Sequence, residues 1–151
     1  MTDQAPSTEN RSATYIVSGG ASLLGAAFVR RISKAGNNVI MGDLDEAAGA
    51  KIADELGESV MFCRCDVRRD EDLAGLVQCA TEVFGGLDGI VNNAVNYLDN
   101  GIDSSRADWH AAFDVTLFGG ALLLAKALPL LTESPSAAVV NVSSIAAKVA
   151  Q

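Results

Sequence analysis

The segment that decides the fold is Ala13-Thr-Tyr-Ile-Val-Ser-Gly-Gly-Ala-Ser-Leu-Leu-Gly25, near the start of the chain. Its β-branched apolar run, which ends at Ser18, predicts a buried strand. The glycines that follow predict a tight turn, and the residues from Leu23 onward have the pattern of a helix. At such a junction, backbone N–H groups and the helix dipole can hold a pyrophosphate without a cationic side chain. The pattern is also typical of simple tight connections, so other segments must support this interpretation.

Short apolar runs alternate with helical segments along the rest of the chain. The sequence predicts strands at 13–18, 38–42, 59–65, 88–92 and 137–143, and helices at 23–35, 45–56, 70–84 and 107–131. This alternation is typical of a parallel sheet with helices on both faces. Right-handed crossovers then give a doubly wound α/β sheet of order 3-2-1-4-5, truncated after strand 5, with a ligand crevice at the carboxyl ends of strands 1 and 4.

The composition limits the class of protein. The 151 residues include 11 Lys+Arg and 19 Asp+Glu, so the net charge is −8, and an acidic surface repels nucleic acids and anionic membranes. The longest apolar stretch, 119–131, contains Lys126 and Pro129 and is shorter than the roughly 20 residues of a membrane span. The three cysteines and the single histidine, His110, have no metal-ligand spacing. We therefore expect no membrane segment, no metal site and a reducing cytoplasmic location.

The chain is predicted to have one folded domain. Residues 1–12 read as a disordered polar tail without the features of a secretory signal, and residues 13–151 form the domain. The helix at 107–131 is apolar on most of its circumference, which indicates burial by the sheet and by a partner. Strand 5 would be an exposed apolar edge if the chain ended at Gln151. Such a chain should aggregate, pair with another copy or be only part of the molecule that folds. Together with the helix, this edge favours a homo-oligomer.

An acidic residue ends the second predicted strand. Asp43 lies 24 residues after Gly19, where a carboxylate can accept hydrogen bonds from both hydroxyls of an adenosine ribose and would repel a 2′-phosphate. This favours NAD over NADP. Asp43 could instead begin a turn or cap the next helix, although Asp45 is the better candidate for the cap. A P-loop is excluded, because Ala26 and Ala27 follow Gly25 where Lys and Ser or Thr would be required.

These segments together resemble the short-chain dehydrogenase/reductase family over residues 13–151, which implies a Rossmann-like fold. The family's Thr-Gly-x3-Gly-x-Gly is similar to Ser18-Gly19-x3-Leu23-x-Gly25, and its Asp-Val after strand 3 is matched by Asp66-Val67. Its Asn-Asn-Ala-Gly resembles Asn92-Asn93-Ala94 followed by Val95. Trp109 with 114–119 resembles the family's long helix, and 139–144 resembles the strand that ends in its catalytic serine.

The resemblance implies hydride transfer between a nicotinamide ring and a small-molecule alcohol or carbonyl substrate. In the family, a Tyr phenol is the general acid/base, a Lys four residues later lowers its pKa, and a Ser hydroxyl polarises the substrate oxygen. By position that serine is Ser144, with Ser143 beside it, and Thr116 stands where an Asn supports a proton relay. The residues expected to bind the cofactor are Ser18, Gly19, Ser22, Leu23, Leu24 and Gly25 at the turn, Asp43 and Leu44 at the ribose, Asp66 and Val67 at the adenine, and Asn93 and Ala94 on the nicotinamide side.

Three departures from the family pattern alter these expectations. Leu23 replaces a glycine whose missing side chain lets the backbone approach the pyrophosphate, so it should weaken binding or move the cofactor. Thr116 cannot present both a carbonyl and an amide to a relay. The family's spacing places the Tyr-Lys pair beyond Gln151, and neither Tyr15 nor Tyr97 has a lysine four residues later. The 151 residues alone are therefore expected to be inactive, although Tyr97 could touch substrate.

Two alternatives remain open from the sequence. The chain could be a catalytically inactive protein that binds nucleotides or other proteins. It could also be a class I methyltransferase, because these enzymes share a glycine-rich turn after strand 1, an acid after strand 2 and an Asp after strand 3. The Asn92-Asn-Ala94 and 139–144 segments argue against a methyltransferase.

Overall fold

The structure, a computed structural model, describes residues 12–96 and 101–144. Five parallel strands form one sheet of order β3-β2-β1-β4-β5, which confirms the predicted order. The strands are β1 (Thr14–Ser18), β2 (Asn38–Asp43), β3 (Val60–Arg64), β4 (Gly89–Asn92) and β5 (Ala138–Asn141). The α-helices are α1 (Leu23–Lys34), α2 (Glu46–Leu56), α3 (Asp70–Phe84), α4 (Arg106–Phe113) and α5 (Gly120–Glu133).

Two hydrophobic cores lie on opposite faces of the sheet. Successive strand side chains point to opposite faces, so adjacent residues of β1 belong to different cores. Ile16 packs in the core that includes α3 and α5, whereas Val17 packs in the core that includes α1 and α2. Both side chains are fully buried. The unbroken apolar run of β1 follows from this burial on both faces.

Local signals set the ends of α2 and α3, and the Asp45 cap confirms the interpretation of the sequence. The Asp45 side chain accepts a hydrogen bond from the Ala48 N–H at 2.9 Å and caps α2. Gly85 follows α3 with a left-handed φ of 77°, a conformation that glycine adopts at little cost. These stops keep each connection short and bring the ends of β1, β2, β3 and β4 to one edge of the sheet.

The long helix differs from its prediction. In place of one α-helix at 107–131, the structure has α4, a π-helical segment over Asp114–Gly119, and then α5. A π turn holds more residues than an α turn and is frequently found at functional sites. Gly119 lies on the segment's inner side, where an added Cβ would come 2.9 Å from the Cβ of Val67. The helix can therefore approach the loop after β3 only without a side chain at this position.

The helical run Arg106–Glu133 also qualifies, by length and composition alone, as long enough to cross a membrane. It has 28 residues and a mean hydropathy of 1.7 in its most apolar window, of which 22% is buried. Lys126 and Pro129 were expected to interrupt this stretch and exclude a span, yet α5 continues through both residues. Buried Leu123, Ala127 and Leu131 pack in the core shared with α3, which accounts for part of this apolarity.

The last strand is shorter than expected. β5 covers Ala138–Asn141 instead of 137–143, and all four residues are exposed. It pairs with β4, and the Asn92 side chain donates to the Asn141 side chain at 2.8 Å across the pair. Within the described residues, β5 is thus an edge strand with both valines, Val139 and Val140, partly open to solvent.

Candidate functional site

The turn between β1 and α1 is formed by two residues with positive φ. Gly19 has a φ of 65°, and Leu23 has a φ of 28°, the only positive value among the described residues other than glycines. The Leu23 side chain is 94% exposed, so it gains little from packing. A leucine in this conformation is strained, because its Cβ crowds the backbone. Leu23 stands where the family pattern has a glycine, and its backbone adopts a positive φ that is typical of glycine.

The amino end of α1 has no side-chain cap. Ser22 occupies the cap position and makes no capping hydrogen bond, whereas Asp45 caps α2 and Ser105 caps α4. The first turn of α1 also carries no acidic residue. Its first N–H groups and the positive end of its dipole are therefore suited to an anion. Leu24, 51% exposed, lies in the same first turn.

Asn93 fastens the turn to the end of β4. Its side-chain N–H group donates to the carbonyl oxygens of Gly19 at 2.9 Å and Ser18 at 3.2 Å. Gly25 packs against the Gly19 carbonyl so closely that an added Cβ would overlap that oxygen. The sequence analysis placed Asn93 and Ala94 beside the nicotinamide; the structure adds that the Asn93 amide is committed to the turn itself.

Ser18 has a role that the motif alone does not reveal. Its hydroxyl oxygen accepts hydrogen bonds from the backbone N–H groups of Asn93 at 3.1 Å and Ala94 at 3.3 Å. Ser18 is only 3% exposed. Its side chain connects β1 to the loop after β4, and the contact of Ser18 with the cofactor stays a prediction.

Asp43 joins the end of β2 to the same turn. One carboxylate oxygen accepts the N–H of Ala21 at 2.9 Å, and the other accepts the N–H of Asp45 at 3.1 Å. Asp43 therefore begins a local turn, as one interpretation of the sequence proposed, while Asp45 is the helix cap. A carboxylate has about four acceptor positions, so two remain for a ligand. Leu44 follows with its side chain 52% exposed.

Asp66, after β3, is held by an arginine that the sequence analysis did not identify. Arg68 donates to the two carboxylate oxygens through Nε at 2.8 Å and Nη2 at 2.6 Å, and its backbone N–H donates at 3.1 Å. These hydrogen bonds lower the pKa of Asp66 and hold it as a carboxylate. The signal was available as Asp-x-Arg, but such a short spacing does not distinguish an ion pair from two solvated charges. Val67 beside it is buried against Gly119.

The positions expected to be catalytic lie at the open edge of the site. Thr116 is exposed within the π-helical segment, and Ser143 and Ser144 are exposed just after β5. Tyr15 packs against Gly89 within the sheet, as expected of a structural residue. Tyr97 lies outside the described residues. Residues 12–96 and 101–144 contain no group of three His, Cys, Asp or Glu side chains that could hold a metal ion.

The sheet order, the buried strand ends and the turn define a Rossmann-like fold. A family model described as short chain dehydrogenase matches residues 13–151. The chain belongs to the short chain dehydrogenase family, whose members are oxidoreductases.

Curated proteins of this family share about a third of their aligned residues with the chain. The 3-alpha-(or 20-beta)-hydroxysteroid dehydrogenase of Mycobacterium bovis is 33% identical over 132 residues, which are 86% of this chain and 50% of that protein. The sex determination protein tasselseed-2 of Zea mays is 35% identical over 140 residues, covering 87% and 41% of the two chains. The chain spans half or less of the length of these relatives.

Solved structures agree with the fold. The short-chain glucose/ribitol dehydrogenase of Brucella melitensis superposes with a TM-score of 0.85 at 29% identity, over 90% of this chain and 58% of that one. The 3-ketoacyl-(acyl-carrier-protein) reductase of the same organism, solved in complex with NADH, has a TM-score of 0.84 at 24% identity, over 89% and 58%. The second likeness concerns the fold alone.

Proposed function

We propose that the chain is the cofactor-binding part of an NAD(H)-dependent oxidoreductase that transfers hydride between a nicotinamide ring and an alcohol or carbonyl substrate. The observation that carries the proposal is the position of Asp43, whose carboxylate lies at the end of the second strand and is bound to the glycine-rich turn at Ala21. A dinucleotide with its pyrophosphate at this turn needs such an acceptor for its adenosine ribose.

The phosphate end of the site consists of backbone groups. Gly19 and Gly25 shape the turn, and the uncapped amino end of α1 supplies N–H donors for the pyrophosphate. Ser22 and Leu24 border these donors. The exposed Leu23 side chain does not fill a pocket, so it reduces the affinity for the cofactor without abolishing binding.

The adenosine end of the site selects NAD over NADP. The Asp43 carboxylate can accept hydrogen bonds from ribose hydroxyls, whereas the 2′-phosphate of NADP would face a like charge. Neither the glycine-rich turn nor Leu44 supplies a cation to neutralise that phosphate. Asp66 and the backbone at Val67 are the groups that would meet the adenine.

The substrate end is incomplete in these residues. When bound, the nicotinamide would supply or accept the hydride. Ser144 would donate a hydrogen bond to the substrate oxygen, and Thr116 would order a water molecule near it. The sequence contains no tyrosine followed four residues later by lysine. We therefore expect the 151 residues alone to bind the cofactor without turnover.

Calorimetric titration of the chain tests this proposal. We expect NADH to bind at least about tenfold more tightly than NADPH, a difference of about 1.4 kcal/mol. ADP-ribose should bind nearly as well as NAD, because the proposed contacts lie on the adenosine and pyrophosphate side, and nicotinamide mononucleotide should bind far more weakly. S-adenosylmethionine is the control for the methyltransferase alternative.

Three results would contradict the proposal. Equal affinities for NADH and NADPH would show that Asp43 does not select the ribose. Tighter binding of S-adenosylmethionine would favour a methyltransferase. If no dinucleotide gives a heat of binding, the protein has this fold but does not bind the cofactor. That result would favour the alternative of an inactive interaction protein.

We also propose that the protein is a cytoplasmic homo-oligomer that associates through the outer face of the long helix. Large apolar side chains there are 42–54% exposed; they are Trp109, Phe113, Leu117, Phe118, Leu122 and Leu128. Exposed apolar surface of this kind is typical of an interface. The three cysteines are free thiols, which is compatible with a reducing compartment. Light scattering of the purified chain should give a mass at least twice that of the monomer, and a monomeric mass would refute this assignment.

A further inference from the structure

Two of the cysteines form a thiol pair between a strand and the helix that packs against it. Cys63 lies in β3 and Cys79 in α3, sixteen positions apart in sequence, and their Sγ atoms are 3.2 Å apart. Both side chains are half-buried. Cys65 is a core residue at 2% exposure, and Cys63 packs against the same core while its thiol contacts that of the neighbouring helix.

The two thiols of the pair have different roles in their hydrogen bond. Burial, together with the hydrogen bond to Cys79, raises the pKa of Cys63 to about 12, so Cys63 keeps its proton and donates it to Cys79 Sγ. Cys63 is held in its thiol form, and the thiolate is the reactive form of a cysteine, so Cys79 is the sulfur of the pair that reacts first. Burial also raises the pKa of Cys65 to about 12, and the nearby carboxylates of Asp72 and Asp66 add to this effect.

We propose that Cys63 and Cys79 are a site of oxidative modification, at which hydrogen peroxide converts the two thiols into an intramolecular disulfide while Cys65 stays reduced. The inference rests on the sulfur geometry and is independent of the proposed cofactor site.

The reaction balances in two steps. Cys79 Sγ attacks one oxygen of hydrogen peroxide, the O–O bond breaks, and the products are a sulfenic acid on Cys79 and one water molecule. Cys63 Sγ then attacks the Cys79 sulfur, the S–O bond breaks, and the oxygen leaves as a second water molecule with the Cys63 proton. The two sulfurs lose two electrons in total, and the peroxide gains them.

The distance between the sulfurs suits this second step. A disulfide needs about 2.05 Å between sulfurs, so the two Sγ atoms must approach by little more than one ångström. In the part of the chain that the structure describes, β3 is one of the two edge strands of the sheet, and α3 packs on one face beside it. The cross-link would tie this edge strand to the helix that follows it, and the Asp66–Arg68 ion pair lies on the segment between the two cysteines.

Mass spectrometry of the oxidised chain tests the proposal. The reduced chain is exposed to hydrogen peroxide, alkylated with iodoacetamide, and digested without reductant. We expect one cross-linked peptide pair, containing Cys63 and Cys79, whose mass is lower than that of the two thiol peptides by two hydrogen atoms. Cys65 should be alkylated to the same extent before and after oxidation.

Single serine variants identify the order of the two steps. Cys63→Ser should accumulate the sulfenic acid on Cys79, detected with a dimedone probe, because no second thiol can displace its oxygen. Cys79→Ser should show no dimedone adduct on Cys63 at the same peroxide exposure. Cys65→Ser is the matched control and should form the disulfide at the rate of the unmodified chain.

A different set of products would overturn the inference. These are a disulfide that includes Cys65, disulfides only between two chains, or complete alkylation of Cys63 and Cys79 after oxidation. The unmodified chain alone distinguishes these outcomes, so the test does not depend on the folding of the variants.

Discussion

The Asp43 Oδ2 atom lies 2.9 Å from the amide nitrogen of Ala21, so the end of β2 is hydrogen-bonded to the turn that follows β1. The acid thus supports the turn even without a ligand. In the proposed function, the same carboxylate also accepts hydrogen bonds from the ribose hydroxyls of the cofactor. The two roles can be separated, because one needs only an acceptor oxygen and the other needs a negative charge.

Two substitutions of Asp43 separate support of the turn from the choice of cofactor. Asp43→Asn keeps one acceptor oxygen for Ala21, loses the charge, and leaves the exposed Asp45 N–H to water. We expect it to bind NADPH about as tightly as NADH, while its free energy of unfolding changes by less than about 0.5 kcal/mol. Asp43→Ala should lose the selectivity and also about 1 kcal/mol of stability, since the Ala21 N–H loses its partner. Urea denaturation and calorimetric titration measure the two effects, and retained selectivity in Asp43→Asn would contradict the role of the charge.

Leu23→Gly should stabilise the chain and strengthen cofactor binding. Leucine at a φ of 28° carries strain of about 1–3 kcal/mol, which exceeds the roughly 0.5–1 kcal/mol of backbone entropy that glycine loses on folding. The removed side chain is almost fully exposed, so no buried area is lost. We expect a gain of up to about 1–2 kcal/mol in denaturant unfolding.

The neighbouring leucine provides the control. Leu24 is also exposed and lies in α1, where glycine costs about 1 kcal/mol relative to a good helix former. Leu24→Gly should therefore destabilise the chain. If both variants lose stability equally, the strain at Leu23 is not released by glycine.

Gly25→Ala should destabilise the chain by about 1–3 kcal/mol, because its new methyl group would overlap the Gly19 carbonyl oxygen. The matched change is Gly75→Ala in α3, where an added Cβ meets no atom within 4 Å. It should stabilise the chain by about 0.5–1 kcal/mol. Thermal unfolding of the two variants gives the comparison, and a tolerated alanine at position 25 would refute the close contact.

The Asp66–Arg68 pair predicts a dependence of stability on pH. Arg68 holds the pKa of Asp66 below its usual range, so the folded state favours the carboxylate. The pair therefore stabilises the fold above the unfolded pKa of about 3.9, and this contribution is lost as the pH falls through the lower folded value. Arg68 is half exposed, and solvent screening keeps the effect modest.

A variant without the guanidinium measures this contribution. Arg68→Met should be less stable than the unmodified chain at pH 7, and the difference between the two should shrink as the pH is lowered below about 4. A difference that stays constant down to pH 2 would indicate lost packing of the arginine stem and not lost charge.

The parts of the fold set by short-range patterns could be predicted from the sequence. The apolar run of β1, the Asp45 cap and the glycines that end the helices determine where elements begin and end, and the handedness of parallel crossovers then gives the sheet order. β5 was predicted one residue too long at its start and two too long at its end, because the apolar Ala137 and Val142 continue its pattern although they lie outside the strand.

The parts of the site that depend on contacts between residues distant in sequence could not be predicted. The hydrogen bonds of Asn93 to Ser18 and Gly19 join residues more than seventy positions apart. Likewise, nothing in the sequence pattern shows that the Cys63 thiol contacts the thiol of Cys79, which lies in a helix sixteen positions later. The turn, Asp43 and Asp66 could be located as a group, whereas their internal partners became visible only in three dimensions.

The π-helical segment Asp114–Gly119 alters the angular phase of the long helix. In a wider turn, each residue advances the helix by a smaller angle. The six residues of the segment therefore rotate α5 back by about 100° from the direction that an unbroken α-helix would give it. Leu123 and Ala127, which follow the segment, are both fully buried in the core. Deleting a single residue from the segment would re-form a regular helix. It would rotate α4, with its exposed aromatic residues Trp109 and Phe113, relative to α5, with its buried residues Leu123 and Ala127.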